Sequence, residues 1–168
     1  MEIIGYKAFN KDLTNRYGKK FEVGEAYQTV GEISFGNDGN GFHFCKNIED
    51  TLRYFDAIEG EVVVAEVIAS GEMVKKEDEY NGYYDMYCSE KLKIHRIIER
   101  KELVKMFLLR ITSEIRVRRF IQLFKLTEKE IEMFKLKYAH SITVMDAIAY
   151  YQEGKKDTYE KRNKVKQK

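Results

Sequence analysis

At Glu99 the hydrophobic pattern of this chain changes period, and that change limits the fold more than any other feature. Before it, apolar residues alternate with polar ones or gather in short branched blocks, as in Glu2–Phe9, Ala26–Val30, Glu61–Ala69 and Leu92–Ile98. A period of two is the mark of strands whose side chains point to opposite faces. After it, apolar residues recur every three or four positions through 100–110, 112–125, 127–138 and 142–153, the spacing of amphipathic helices. The expectation is an α+β protein: a small antiparallel or mixed sheet with one or two helices over 1–98, then an all-helical region over 99–154. Residues 155–168 form a basic tail, with seven basic residues against two acidic ones.

The 168 residues suit one domain, or one domain with an appended helical piece. A chain of that size buries roughly two-thirds of its unfolded surface, so neither a metal nor a disulfide is required for stability. Cys45 and Cys88 lie far apart and form no CxxC unit, and His43, His95 and Cys88 lack zinc spacing; no metal is expected. No leader-like segment is recognisable, and no apolar run approaches 18 residues, so a cytoplasmic protein without a membrane span is expected.

The formal charge of +2 conceals a division. Residues 1–98 carry 12 basic and 18 acidic residues, a net of −6, while residues 99–168 carry 18 and 10, a net of +8. Such asymmetry serves either an electrostatic partner or the docking of one half on the other. Arg116, Arg118, Arg119 and Lys125 would give the helix over 112–125 a basic face able to contact phosphates. Tyr80, Tyr83, Tyr84 and Tyr87 form a cluster suited to protein binding, because Tyr buries much area at little rotamer cost.

Loop and cap signals add detail. Gly36, Gly39 and Gly41 lead into the apolar strand Phe42-His43-Phe44-Cys45 without matching a phosphate-binding loop. Asn47 is placed to cap a helix over 48–57, Thr127 with Glu130 to form a capping box, and Gly154 to end the last helix. His43, beside flexible backbone, is the foremost candidate for a functional side chain. Cys45 falls on the same face of that strand and is expected to be a buried thiol.

Gly5-Tyr6-Lys7-Ala8-Phe9-Asn10-Lys11-Asp12-Leu13-Thr14 and Gly41-Phe42-His43-Phe44-Cys45 resemble segments of an uncharacterised domain family of phage and prophage genomes. The valine-rich stretch Val62–Gly71 and the strand Lys91–Ile97 extend the resemblance over roughly residues 1–98. The order of strand, Gly-Phe-aromatic-Phe segment, helix and valine-rich strand is also similar, more distantly, to the ADP-ribosyltransferase fold. That resemblance implies a nicotinamide pocket with Lys7 in place of the usual first-strand His, His43 in place of the ring-stacking Tyr, and Glu90 as the late-strand carboxylate. Lys7 and His43 depart from that fold's pattern.

Three functions are expected in order. The first is an accessory protein of a phage or mobile element that binds and inhibits a host protein or ribonucleoprotein, such as an anti-CRISPR factor, without a cofactor. The second is an atypical ADP-ribosyltransferase-like enzyme using NAD. The third is a nucleic-acid-binding module led by the basic helices.

Overall fold

A computed structural model of the protein describes residues 1–36, 39–52, 62–76, 85–109 and 113–165, with side chains through 154. Strands β1 (Ile3–Asn10), β2 (Ala26–Gln28), β3 (Phe42–Cys45), β4 (Val62–Lys75) and β5 (Met86–Ile97) make one antiparallel sheet. A single helical turn, α1 (Ile48–Thr51), follows β3. After β5 come α2 (Arg100–Leu109), α3 (Glu114–Leu123), α4 (Glu128–Lys137) and α5 (Ile142–Val165). The architecture is the α+β arrangement that the change of period dictates.

The strand pairings form a circuit. β1 lies against β4 along its length, from Ile3 opposite Ala69 to Asn10 opposite Val62. β4 pairs with β5, β5 pairs with β3 (His43 opposite Cys88), and β3 returns to β1 where Tyr6 faces Cys45. β2 continues along β5 beyond β3, with Tyr27 opposite Leu92. The closing step needs Gly5. A Cβ there would sit 2.5 Å from Cδ2 of Phe44 and 2.7 Å from the carbonyl oxygen of Cys45, wedging β1 away from β3.

Alternation along the strands feeds two cores. Phe9, Phe42, Phe44, Val67 and Ile94 point to one side, where Phe21 joins them. Ala8, Val62 and Val64 point to the other and meet Ile48, Leu52 and Ile98 together with Phe107, Phe120 and Phe134 of the helices. The second core therefore spans the division expected at 98/99. The helical region is a layer on the outer face of the sheet rather than an appendage packed on itself.

Two basic residues of α3 reach across to the sheet half. Nη2 of Arg116 lies 2.6 Å from Oδ1 of Asp50 in α1. Nε of Arg119 donates to the carbonyl oxygen of Leu52 at 3.2 Å. Arg96 on β5 bridges Glu66 on β4 and Glu102 on α2, and Arg100 on α2 holds Glu130 on α4 at 2.5 Å.

Local signals fared unevenly. Thr127 accepts from the amide of Glu130 while the Glu130 side chain accepts from the amide of Thr127, the expected capping box. Asn47 takes the N-cap position, but its side chain makes no cap bond; its Nδ2 reaches toward Asp85 at 3.5 Å instead. Gly154 does not end the last helix, which runs on to Val165. One glycine costs a helix only about 1 kcal/mol, and the Lys and Arg residues frequent after it are good helix formers. Residues 53–57 of the expected first helix lie outside the described residues, as do most residues between β4 and β5.

Candidate functional site

A cavity of about 510 Å³ lies at the meeting of β1, β3 and the loops that follow β1 and β2. Its walls include Lys7, Arg16, Lys19, Phe35, His43 and Lys76. Every described lining residue that carries a charge at neutral pH is basic, and none is acidic.

Local backbone chemistry sets these groups in place. After β1 the chain turns on Asn15, whose side-chain oxygen accepts from the amides of Tyr17 at 3.0 Å and Lys19 at 2.9 Å. That turn brings Arg16 and Lys19 back over the sheet. Nζ of Lys19 stands 4.9 Å from the centroid of the Phe42 ring, where the π face attracts the cation. On the opposite wall Asn40 holds the glycine-rich loop: Thr29 donates to its Oδ1, and its Nδ2 donates to the Val30 carbonyl at 2.9 Å. Gly41, at φ +124°, passes so close to β5 that a Cβ would meet Sγ of Cys88 at 2.5 Å.

This loop presents Phe35 to His43. Their rings stack with centroids 5.2 Å apart and planes within 5°. Burial, helped by the charges of Lys7, Arg16 and Lys76, lowers the His43 pKa to about 4, so the imidazole is neutral at physiological pH. Its Nε2 is buried and has no hydrogen-bond partner among the described residues. Lys7 is half-buried, and its Nζ donates to the carbonyl oxygen of His43 at 2.5 Å. Dehydration lowers its pKa to about 8. Cys45 and Cys88 are both buried, and burial pushes their thiols up to about 12 and about 11. Neither is a thiolate nucleophile at neutral pH.

Of the residues singled out in the sequence, Lys7 and His43 meet in this cavity, which Tyr6 of the resembling Gly5–Thr14 segment also lines. Glu90 does not. Its carboxylate accepts from Nε2 of Gln28 at 2.8 Å and from the amide of Glu72 at 3.1 Å. It thereby holds a register shift in β4, and the Glu72 amide keeps it below the usual carboxylate range. A nicotinamide-riboside bond in the cavity would lack that carboxylate, so the three-residue transferase set is not assembled.

Of the expected protein-binding surface, five residues lie among those described. Tyr87 is half-buried and stacks on Phe44 at 5.4 Å, while Tyr80, Tyr83 and Tyr84 lie outside the described residues. Arg116 and Arg119 turn inward on Asp50 and Leu52. Arg118 and Lys125 remain exposed. The residues not anticipated are Arg16, Lys19, Phe35 and Lys76. The basic run from Arg16 to Lys20, set in a turn-rich segment after a strand, was the available signal for two of them.

Among the described residues no cluster of His, Cys, Asp and Glu is placed to hold a metal ion, and no helix is long and apolar enough to cross a membrane. Residues 3–106, which contain the whole sheet and the cavity, match a family described as Domain of unknown function (DUF7666). The chain belongs to that family. No curated protein and no solved structure matches it.

Proposed function

We propose that the sheet region is a binding module for a small anionic molecule that carries a planar ring, of the nucleotide or dinucleotide class. The observation that supports this reading is the basic character of the described cavity wall, to which Lys7, Arg16, Lys19 and Lys76 contribute. A ligand with two or more negative charges gains from each cation, and the aromatic wall at Phe35 and Phe42 suits its ring. NAD, the cofactor of the transferase reading, belongs to this class of ligand, but binding does not require transfer.

Titration calorimetry of the full chain with ADP, NAD and pyrophosphate, against neutral adenosine, tests the proposal. The polyanions should bind, adenosine should bind at least tenfold more weakly, and affinity should fall as salt rises. Lys19→Met should weaken pyrophosphate about tenfold, the worth of one charge-assisted contact of roughly 1.5 kcal/mol. Equal binding of adenosine and ADP, or no binding of any anion, would overturn it.

A further inference from the structure

Among the cations of the cavity wall Lys7 stands apart. Arg16, Lys19 and Lys76 are exposed, whereas Lys7 rises from the middle of β1 and is half-buried. Its hydrogen bond goes to a neutral acceptor, the carbonyl oxygen of His43, and no carboxylate among the described residues pairs with it. The titratable groups around it are Cys45 on β3, Cys88 on β5, His43 on β3 and Arg16 in the loop after β1. At neutral pH the two thiols are protonated and the imidazole is neutral, so Arg16 is the charged neighbour, and it is cationic. Dehydration without an anionic partner favours the free amine, which is how a lysine becomes a nucleophile.

We propose that Lys7 is a nucleophilic amine that captures carbonyl compounds as an imine inside the cavity. On the anion-binding reading given above, on which this part rests, the preferred carbonyl compounds are aldehydes or keto acids bearing a phosphate or carboxylate. The neutral amine of Lys7 adds its lone pair to the carbonyl carbon, forming the C–N bond as the carbonyl π electrons move to oxygen. That oxygen takes up a proton, giving a carbinolamine. The nitrogen gives up its two protons to solvent, the hydroxyl takes up a second proton and departs as water, and the nitrogen lone pair closes the C=N bond. Amine and carbonyl give imine and water, with no change of oxidation state and no co-reactant.

Pyridoxal 5′-phosphate serves as the probe, because it joins an aldehyde, a planar ring and a phosphate. The full chain is exposed to a limiting amount of it, reduced with borohydride, digested and mapped by mass spectrometry. Lys7 should be labelled at least tenfold faster than any other lysine, with a rate that rises with pH through a midpoint near 8. Lys7→Arg, which cannot form an imine, should lose that label while its thermal unfolding stays that of a folded chain. Label spread over surface lysines, with Lys7 no faster than the rest, would overturn the nucleophile whatever pyrophosphate does. Selective labelling of Lys7 that pyrophosphate does not slow, and that phosphate-free pyridoxal matches in rate, would support the nucleophile and remove the anion-binding reading. The map of the unmodified chain decides the matter even where the variant fails to fold.

Discussion

Nη2 of Arg116 lies 2.6 Å from Oδ1 of Asp50, a carboxylate with no exposed surface, so one ion pair ties α3 to the turn that carries Thr51 into the cavity wall. The pair joins a basic residue of the helical half to an acidic residue of the sheet half. Removing one partner of a buried pair strands the other in a poorly hydrated site, at a cost of roughly 3–5 kcal/mol. Arg116→Met should lower stability by about that amount in denaturant unfolding at pH 7. Burial raises the Asp50 pKa even with Arg116 present, and without it the rise should be larger. A raised carboxylate pKa means that the folded state holds a proton the unfolded state has released, so stability falls as pH rises through that window. The defect of Arg116→Met should therefore shrink at pH 5, and Asp50→Asn combined with it should recover part of the loss at pH 7. A deficit that is the same at both pH values would show that the carboxylate is not what suffers.

His43 predicts a pH dependence of the opposite sign. Its folded pKa of about 4 lies below the ordinary value of 6.5. Between those values the unfolded chain binds a proton that the folded chain refuses, so the contribution of His43 is fully present above about pH 6.5 and is lost as pH falls toward 4. The difference between urea midpoints at pH 7 and pH 5 should be smaller for His43→Phe than for the natural chain. Phe retains the stack on Phe35, so packing is held nearly constant. Identical differences for the two proteins would mean that this imidazole titrates normally.

Gly5→Ala tests the closure of the strands. Its added methyl would meet the Phe44 ring at 2.5 Å and the backbone of β3 at 2.7 Å, and backbone cannot rotate away. Overpacking of this kind costs about 3 kcal/mol or more. Gly24→Ala is the comparison: nothing lies within 4 Å of a Cβ there, and only its φ of +90° opposes the change, at roughly 1–2 kcal/mol. Thermal unfolding should rank Gly5→Ala well below Gly24→Ala. The reverse order would argue that β1 and β3 are not in contact.

What could be read from the sequence was local. The branched run Val62–Ala69, the alternation Leu92–Ile97 and the pairing of Thr127 with Glu130 each carry their signal within a few residues, and each became the element expected. Lys7 came from a resemblance of segments and His43 also from its place beside a glycine-rich loop, and they do share a wall. What could not be read was where loops return. Arg16 and Lys19 reach the cavity because Asn15 turns the chain back, a consequence of side-chain bonds whose partners are set only once β1 is in place. Glu90 was chosen for its strand position, yet its neighbours Gln28 and Glu72 lie 62 and 18 residues away in the chain. Arg116 and Arg119 looked like an outward basic face because helical periodicity says which residues share a side, not what covers that side.

The stack of Phe35 on His43 separates ring recognition from charge recognition. Phe35 is half-buried on the cavity wall, one of its faces is taken by the imidazole at 5.2 Å, and its loop is fixed by Asn40 rather than by the ring itself. Truncating it should therefore leave Lys7 and Lys19 in position. A base or nicotinamide ring resting on this wall gains about 1.4 kcal/mol from aromatic contact, which is a factor of ten in affinity. Phe35→Ala should weaken ADP and NAD about tenfold while changing pyrophosphate less than twofold, read by calorimetry at fixed salt. A parallel loss for all three ligands would place the effect on the loop and its charges instead of the ring. An unchanged affinity for ADP would show that the ligand's ring lies elsewhere in the cavity.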